Sequence, residues 1–350
     1  MATDLVTTKA IVSHNPVNGK RQWILEDIAV GPPEENEAIV EIVASGICHT
    51  DLGCGTDPDG TPGFPVPPYP RVLGHEGSGY VKAIGSKVTK VKLGDAVLLS
   101  FAFCTECHNC RFGAPGYCAR FNEINFTGNK SGFKEQKAAG DRVGGSFFGQ
   151  SSFSRLTRVQ ETSIVKATNL IKGQEDLKLF APLGCGIQTG AGTVTELAKA
   201  GPNDKVAIIG LGGVGLAAIM VGSFSRPFPE ELHQGLTTFT YVLKKAAKLR
   251  GCPTIIGIDR VPARLELARS LGATAGIDTS TISGSLVDEV RQVTGGSGST
   301  ITVDATGVVP LIQQGIEFTA NQGKMILLGV APMTSKLDLS IVPYMVASPL

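Results

Sequence analysis

The stretch KVAIIGLGGVGLAAIM, residues 205–220, restricts the fold of this 350-residue chain more than any other. An apolar strand pattern runs into glycines spaced G-x-G-x-x-G, and an apolar helix pattern follows at once. The first two glycines allow a tight turn and close approach of a pyrophosphate to the helix N-terminus, and the third lets the helix pack on the strand. We therefore expect a dinucleotide to contact five residues of this turn: Gly210, Gly212, Gly213, Val214 and Gly215.

Strand and helix patterns alternate through the second half of the chain, in TIIGID, ARLELARSLGA, SLVDEVRQVTG, ITVDATG, LIQQGIEFTA and GKMILLGV. Repeated β-α units predict a doubly wound parallel sheet. Residues 1–180 instead hold short apolar runs between turn signals, such as EAIVEIVAS and DAVLLSF, which predict a β-rich domain. We expect an α/β protein with domains over residues 1–180 and 181–330. Residues 331–350 are expected to be a truncated C-terminal segment, because SIVPYMVASPL ends abruptly.

An acidic residue is expected at the end of the strand after the glycine turn, where it would bind the hydroxyls of an adenosine ribose. Asp259 in TIIGID is the candidate, and its carboxylate favours NAD over NADP because it would repel a 2′-phosphate. Arg260 follows directly and could soften that preference. The spacing is unusual, since Gly210 and Asp259 are 49 positions apart, against about 20 in the usual fingerprint.

An insertion over residues 221–245 would explain this spacing. Without it the flanks join as GLAAIMAAKLRGCPTIIGID, an unbroken helix pattern that leads into a strand. Pro227 and Pro229 cannot continue an α-helix, and LTTFTYVL is β-prone, uncharged and a candidate aggregation segment. We interpret the segment as a translated intron or a mispredicted exon boundary. A true insertion would form a surface loop, and stability and the position of Asp259 are expected to suffer.

Four of the eight cysteines lie together in CTECHNCRFGAPGYC: Cys104, Cys107, Cys110 and Cys118. Thiolates with two-residue spacings suit a tetrahedral zinc, and the glycines and proline of the longer spacer can return the chain to the metal. Because four protein ligands leave no open position, the predicted site is structural. Four unligated thiols are the alternative. A nucleic-acid-binding zinc finger is disfavoured, because no basic helix flanks the segment.

Three further motifs, far apart in sequence, carry residues that could ligate a metal. GICHTD holds Cys48, VLGHEGSG holds His75 and LGCGIQTGAG holds Cys185. Taken singly, either cysteine could be a small buried residue, and the histidine could belong to a turn. Together, a Cys–His–Cys set would leave the fourth position of a tetrahedral zinc open for water or substrate, as a catalytic metal requires.

The ordered set of motifs resembles the zinc-dependent medium-chain alcohol dehydrogenases, from KAIVSHNP to ILLGVAP. FGQSSFS and PLGCGIQTGAG are most similar to the aryl- or benzyl-alcohol branch. The resemblance implies a GroES-like catalytic domain before a Rossmann coenzyme domain. It implies reversible hydride transfer between a primary, aromatic or benzylic alcohol or its aldehyde and NAD. Two Zn²⁺ ions per subunit, one catalytic and one structural, and a homodimer or homotetramer are also implied.

The same resemblance implies roles for residues around the catalytic metal. Cys48, His75 and Cys185 would be its ligands. Asp51 would accept a hydrogen bond from the far ring nitrogen of His75 and so fix its tautomer. Glu76 would lie behind the metal and help ligand exchange.

Further roles concern the alcohol and the cofactor. Thr50 would hydrogen-bond the alcohol and begin the route by which its proton leaves. His49 would lie near the pyrophosphate, and Thr189 would contact the nicotinamide. The chain departs from the family at Gly53, where well-studied members carry the histidine that ends the proton relay, so the proton would use His49, water or another group.

Charge and composition restrict the partners and the cellular compartment expected for this chain. A net charge of +1 with both signs interspersed indicates no nucleic-acid partner and no anionic membrane. Residues 206–225 are uncharged over the length of a membrane span, but five glycines divide them into strand-like and helix-like parts. The N-terminus shows no signal peptide, so a reducing, cytoplasmic compartment is expected, where clustered cysteines more often bind metal than form disulfides.

Two other functions stay open on the sequence alone. A polyol or other secondary-alcohol dehydrogenase, or an aldehyde reductase, would use the same residues. A nucleotide- and zinc-binding protein without catalysis is the alternative outside enzymes. The intact set of Cys48, His75 and Cys185 argues against the second, whereas the insertion and the abrupt end argue for it.

Overall fold

The protein is described by a computed structural model, which covers residues 5–56, 66–128, 132–135, 142–223, 251–332 and 334–339. By its internal contacts the chain divides into two compact units, Met1–Cys185 and Gly186–Leu350. Cys185 therefore groups with the first unit, although the sequence places the domain boundary at residue 180. The reason is local, because Ser100 Oγ donates to the carbonyl oxygen of Gly184 at 3.0 Å and ties this segment to the first unit.

The described part of the first unit contains ten strands: β1 Val6–Val17, β2 Lys20–Val30, β3 Glu37–Ser45, β4 Arg71–Val72, β5 Gly77–Ile84, β6 Ala96–Leu99, β7 Phe133–Glu135, β8 Arg142–Val143, β9 Leu156–Gln160 and β10 Ile164–Lys166. They form two antiparallel sheets, ordered β4-β1-β2-β7-β8 and β10-β6-β5-β3-β9. One core lies along the first sheet, around Val12, Ile28 and Phe147. A second core, around Val40 and Val81, lies along the other.

Short helices connect these strands: α1 His49–Cys54, α2 His108–Arg111, α3 Phe121–Phe126 and α4 Gln174–Phe180. None is long enough to be stable alone, since isolated helices shorter than about 12 residues are marginal in water. Their conformation therefore depends on packing against the sheets and on capping. The predicted β-rich first domain is confirmed as a GroES-like fold.

The second unit alternates helices and strands: α5 Gly186–Gly192, β11 Lys205–Ile209, α6 Gly213–Ser223, β12 Thr254–Asp259, α7 Pro262–Ser270, β13 Ala275–Asp278, α8 Leu286–Val293, β14 Ser299–Asp304, α9 Val309–Phe318 and β15 Thr319–Leu327. A π-helical turn, Thr193–Leu197, follows α5. The five strands are parallel in the order β13-β12-β11-β14-β15. The chain thus winds one way from β11 and then the other way from β14, which confirms the doubly wound Rossmann sheet.

Both faces of this sheet are apolar, because helices cover both. Val206, Ile208 and Ile255 belong to one core cluster, and Ile209 and Ile256 to the other. The central strands therefore read as continuous apolar runs. The edge strand β13, with the sequence AGID, was missed by the sequence analysis because it is short and weak in β-forming residues.

The predicted insertion over residues 221–245 lies outside the described residues except for its first three, which continue α6 to Ser223. Val221 is buried there. Beyond the gap, Ile209 of β11 pairs with Ile258 of β12, which brings Asp259 to the edge that carries the glycine turn. The expected displacement of Asp259 is not observed, because lateral hydrogen bonds fix the register of paired strands whatever the length of their connection.

Candidate active site

Cys48, His75 and Cys185 come together in the first unit, and one ligand atom of each lies within 4.8 Å of the other two. Cys48 immediately precedes α1, and His75 lies between β4 and β5. Cys185 follows the 3-10 turn Ala181–Gly184, which continues α4. Separate segments thus contribute three converging donors, and no fourth protein ligand joins them among the described residues, which would leave one position of a tetrahedral metal open.

Asp51 orients two of these donors from a fully buried position. Its Oδ2 accepts from the backbone N–H of Cys48 at 2.9 Å, and its Oδ1 accepts from the backbone N–H of Gly74 at 3.0 Å. Oδ1 also lies 3.1 Å from Nδ1 of His75. The carboxylate therefore caps α1 and holds the imidazole with its other nitrogen available to a metal.

Nε2 of His75 is that other nitrogen. It is buried and has no hydrogen-bond partner of acceptable geometry among the described residues, although the Cys48 sulfur is near enough to act on it electrostatically. Burial lowers the pKa of His75, but the hydrogen bonds and charges of Asp51 and Cys48 outweigh it and raise that pKa to about 9. The site thus favours positive charge beside Nε2, as a cation site does.

The pKa values of the Cys48 and Cys185 thiols are shifted in opposite directions. A hydrogen bond from Cys185 lowers the pKa of Cys48 to about 3, against the effect of burial. The hydrogen bond to Cys48, together with burial, raises the pKa of Cys185 far above its usual range. The pair therefore shares one proton, which a divalent cation bound by both sulfurs would displace.

Glu76 is buried next to this group, and its charge contributes to the raised pKa of Cys185. Its side chain lies against Gly46, where a Cβ atom would come within 2.0 Å of Glu76 Oε2. The Gly46 backbone N–H also donates to the Glu76 carbonyl oxygen at 3.0 Å. Gly46 was missed by the sequence analysis, and its position two residues before Cys48 was the available signal.

The residues predicted to handle the proton lie on α1. Thr50 Oγ1 is 3.7 Å from Cys48 Sγ, and His49 is exposed as the first residue of the helix. At Gly53 none of the described residues places an atom within 4 Å of the position that a Cβ would take. The described residues therefore leave the place of the missing relay histidine free, while Thr50 and His49 are adjacent in the chain.

Two aromatic residues to which the sequence analysis assigned no role surround the imidazole, and one of them, Phe148, opens the FGQSSFS stretch. The Phe148 ring stacks on His75 with centroids 4.4 Å apart, and the Phe147 ring meets it edge-on at 5.5 Å. Phe148 has a φ of 52°, in the left-handed region. Such a conformation costs a non-glycine residue about 1–2 kcal/mol, so the surrounding packing holds the ring against the histidine.

The four clustered cysteines form the second candidate metal centre, here called the cysteine lobe. The sulfurs of Cys104, Cys107, Cys110 and Cys118 lie within 4.8 Å of one another. Cys107 caps α2, and its backbone N–H donates to Cys104 Sγ at 3.3 Å. Gly113 turns the chain back with a φ of +80°, so the predicted return of the longer spacer is observed.

Backbone groups tune the sulfurs of the cysteine lobe. Backbone N–H groups of Ala119 and Cys110 donate to Cys107 and lower its pKa to about 6. Desolvation, with hydrogen bonds to Cys107 and Cys118, raises the pKa of Cys110 to about 12. Four sulfurs converging with N–H donors behind them suit a thiolate-ligated zinc and leave no place for substrate.

The glycine turn of the second unit fits a phosphate group. Gly210 has a φ of +89°, and a Cβ there would lie 2.6 Å from Thr306. A Cβ at Gly215 would lie 1.9 Å from the Gly210 carbonyl oxygen, so the start of α6 packs directly on the turn. Gly212 and Gly213 are exposed, and in the part of the chain that the structure describes no atom lies within 4 Å of their Cβ positions. A pyrophosphate can therefore approach the backbone N–H groups at the start of α6.

Asp259 lies beside this turn and is buried. Its Oδ2 accepts from the Leu211 backbone N–H at 2.8 Å, and its Oδ1 accepts from that of Val261 at 2.9 Å. Arg264 Nη1 is 3.6 Å from Oδ2, and Arg260 is exposed. The carboxylate is thus fixed at the end of β12 with two arginines near it in sequence.

The remaining predicted cofactor contacts lie in helices of the second unit. Val214 is half-buried in the first turn of α6, and Thr189 is half-buried in α5.

The sequence predicts no association with a membrane, and one structural finding bears on membrane-spanning helices. None of the helices in the described part of the chain combines the length and apolarity that a bilayer crossing requires.

Two protein-family profiles match the chain. The profile described as Alcohol dehydrogenase GroES-like domain covers residues 34–210, and the one described as Zinc-binding dehydrogenase covers residues 242–347. Residues 211–241, which include most of the predicted insertion, lie between the two matches.

Known proteins are similar over most of the chain. A probable alcohol dehydrogenase of Pseudomonas sp is 37% identical over 308 residues, covering 88% of this chain and 85% of the relative. A geraniol dehydrogenase of Castellaniella defragrans is 36% identical over 308 residues, covering 87% and 72%. The crystal structure of benzyl alcohol dehydrogenase from Acinetobacter calcoaceticus matches with a TM-score of 0.77 and 32% identity, over 97% of this chain and 82% of the other.

The profile matches follow the order of the GroES-like unit and the Rossmann unit, and the relatives extend across both. This chain belongs to the zinc-type medium-chain alcohol dehydrogenase family.

Proposed function

We propose that the chain is a zinc-dependent alcohol dehydrogenase that uses NAD and oxidises primary alcohols next to an aromatic ring or a double bond, reversibly. The observation that carries this proposal is the convergence of Cys48, His75 and Cys185, with three donors and no fourth protein ligand among the described residues. A purely structural metal site would close that position, as the cysteine lobe does.

The residues present fit the two groups that this chemistry needs. Cys48, His75 and Cys185 would hold one zinc, the cysteine lobe a second, and the glycine turn the pyrophosphate of the nucleotide. When bound, the catalytic zinc supplies a Lewis acid for the alcohol oxygen, and the nicotinamide supplies the hydride acceptor. Oxidation of the alcohol would yield the aldehyde and NADH, with the hydroxyl proton released to solvent.

The chain's own side chains handle orientation and the proton. Asp51 fixes the tautomer of His75 through Nδ1. Thr50, 3.7 Å from Cys48 Sγ, would hydrogen-bond the alcohol and relay its proton, taking it up as its own hydroxyl hydrogen leaves toward water or the exposed His49, its neighbour in the chain. The open space at Gly53 would admit water in place of the family's histidine.

Asp259 supports the preference for NAD. Both of its oxygens are held by backbone N–H groups, and a carboxylate fixed in this way can accept from ribose hydroxyls but repels a 2′-phosphate. Arg260 and Arg264 would weaken the preference, since they could pair with such a phosphate.

Two observations support the substrate class. The benzyl alcohol and geraniol dehydrogenases are named for alcohols in which the reacting carbon is bonded to an sp² carbon. Near His75, the partly exposed Phe148 ring supplies aromatic surface that suits such a group.

Zinc analysis and a substrate panel test the proposal. We expect two zinc ions per chain and formation of NADH from benzyl alcohol and geraniol, with slower rates for secondary alcohols and polyols and with NADP. Faster oxidation of a polyol would move the chain to the polyol dehydrogenases. One zinc ion and no turnover with any alcohol would leave a nucleotide- and zinc-binding protein without catalysis.

A further inference from the structure

Gln150 is a fully buried amide whose hydrogen bonds all go to the main chain near the candidate active site. Its Nε2 donates to the carbonyl oxygens of His75 and Ser100, at 2.9 and 2.8 Å. Its Oε1 accepts from the Gly77 backbone N–H at 3.1 Å. One side chain therefore holds the backbone on both sides of Glu76 and the end of a neighbouring strand.

The position of this amide follows from the sheet. β5 and β6 pair in register as far as Ser78 and Leu98, and continuing that register would place Ser100 opposite Glu76. The His75 carbonyl and the Gly77 N–H point to the same edge of their strand, where a partner strand would bond both. Here Gln150 takes the partner's place. β5 and β6 can therefore separate where His75 leaves the sheet, without leaving buried backbone groups unpaired.

The same amide reaches the Cys185 loop through Ser100. Ser100 Oγ donates to the carbonyl oxygen of Gly184, the residue before Cys185, at 3.0 Å. Gln150 and Ser100 thus link the backbone of His75 to the backbone of Gly184, which precedes Cys185. Gln150 is itself fixed, because its backbone N–H donates to Phe147 and its carbonyl oxygen accepts from Thr157 Oγ1.

We propose that Gln150 is a positioning residue of the Cys48–His75–Cys185 centre, which sets the distance between the His75 and Cys185 segments and thereby the affinity and geometry of the metal bound there. The inference rests on the proposed function, since it assumes that this centre binds zinc. Gln150 acts through the main chain and touches no reacting atom.

Asn125 provides a matched control, because it is a second fully buried amide with the same three kinds of bond. Its Nδ2 donates to the carbonyl oxygens of Ala102 and Phe121, both at 2.9 Å, and its Oδ1 accepts from the Ala102 N–H at 2.9 Å. Ala102 leads into the cysteine lobe, and Phe121 begins the helix that follows it. Asn125 therefore braces the cysteine lobe as Gln150 braces the other centre.

Gln150→Glu and Asn125→Asp test the inference as an isosteric pair. Each change replaces the donor NH₂ by oxygen. At least one of the two hydrogen bonds to carbonyl oxygens then becomes a repulsive contact, since the buried acid, when protonated, has a single O–H to donate, while one acceptor is kept. We expect Gln150→Glu to lower the zinc affinity of the Cys48–His75–Cys185 centre about 10- to 100-fold, which is the usual effect of losing a group that supports a ligand. Asn125→Asp is expected to leave zinc affinity at that centre unchanged and to lower zinc affinity in the cysteine lobe.

Competition with a chelator measures the two affinities, and cobalt substitution identifies the ion, because charge-transfer absorption distinguishes two thiolate ligands from four. A changed cobalt spectrum at the two-thiolate centre in Gln150→Glu supports the positioning role. Unchanged affinity and spectrum at that centre, or loss of the same ion from both variants, would overturn it. If Gln150→Glu does not fold, Ser100→Ala replaces it and is expected to lower zinc affinity at the same centre about fivefold. An unchanged zinc affinity in Ser100→Ala would equally overturn the inference.

The unmodified chain separates this inference from the proposed function. If it binds no metal through Cys48, His75 and Cys185, the proposed function fails. If it binds two zinc ions and oxidises alcohols while the Gln150→Glu and Ser100→Ala variants hold both ions as tightly, the proposed function stands and only the inference fails.

Discussion

The two candidate metal centres are built in opposite ways. The cysteine lobe takes its four candidate ligands from residues 104–118, and local backbone geometry brings them together: the cap of α2, the turn at Gly113 and the 3-10 turn before Cys118. The other centre takes its three candidate ligands, Cys48, His75 and Cys185, from segments that are far apart in sequence. Buried side chains, Asp51 and Gln150 above all, hold those segments in place.

The difference teaches where each site is vulnerable. A contiguous site needs few tertiary contacts, because short spacings already restrict the positions of its ligands. A dispersed site must be positioned by the fold, so it depends on residues that never touch the metal. The dispersed site in return has an open position, since three segments can converge without surrounding the ion.

Loss of a ligand should separate the two centres most strongly. Cys185→Ala is expected to lower turnover by about a thousandfold or more, because several kcal/mol of Lewis-acid stabilisation are lost, and to leave one zinc per chain. Cys107→Ala should instead lower the melting temperature, since it opens a structural site. Zinc analysis, turnover and thermal unfolding of both variants check this. Two zinc ions in Cys185→Ala would contradict the assignment of Cys185 as a ligand.

Zinc removal from the unmodified chain tests the open position directly. A small chelator can enter the fourth coordination position of the Cys48–His75–Cys185 centre, whereas four sulfurs shield the cysteine lobe. Activity should therefore disappear with the first ion, and the melting temperature should fall only with the second. A melting temperature that falls in step with activity would show that the centres do not differ in this way.

Asp51 and Asp288 allow a test of positioning by charge. Each is the third residue of a short helix, but Asp51 is buried against His75, whereas Asp288 of α8 is exposed. Asp51→Asn is expected to weaken zinc binding at the dispersed centre 10- to 100-fold, as is usual when a carboxylate behind a histidine ligand is lost. Asp288→Asn should leave both ions unchanged. Competition with a chelator measures the zinc affinity of both variants. Equal effects would show that Asp51 acts only as a helix cap.

The smallest effect is expected from Asp259→Asn, which changes neither centre. The amide keeps an oxygen for the Leu211 N–H but loses the charge that repels a 2′-phosphate. We expect the ratio of kcat/KM for NAD over NADP to fall about tenfold or more, with two zinc ions retained. An unchanged ratio would remove Asp259 from the choice of cofactor.

Much of this architecture could be predicted from the sequence. EAIVEIVAS corresponds to β3 over the same residues, and KVAIIG, TIIGID and ITVDATG mark three parallel strands, because buried strands require apolar runs. The cysteine lobe was predictable since spacing alone restricts four adjacent ligands. The ligand set of the dispersed centre was available only through the resemblance to a family, because three distant residues carry no mutual signal.

The residues that escaped prediction act through tertiary contacts. Gln150 and Phe148 lie in FGQSSFS and Gly46 opens GICHTD, but neither stretch assigned these residues a role. Their importance arises from the backbone groups or side chains that meet them in the fold. Asp259 shows the converse case. Its chain distance from Gly210 predicted a disturbed position, but the pairing of β11 with β12 places it beside the turn.

The sequence by itself determined the fold class, the glycine turn and the cysteine lobe, because apolar periodicity, glycine conformations and short ligand spacings are local properties of the chain. Tertiary structure alone decided how Cys48, His75 and Cys185 meet, which groups hold their backbones and where Asp259 lies. Those arrangements join residues far apart in the chain, and hydrogen-bonded strand registers and buried amides fix such distances when local sequence does not.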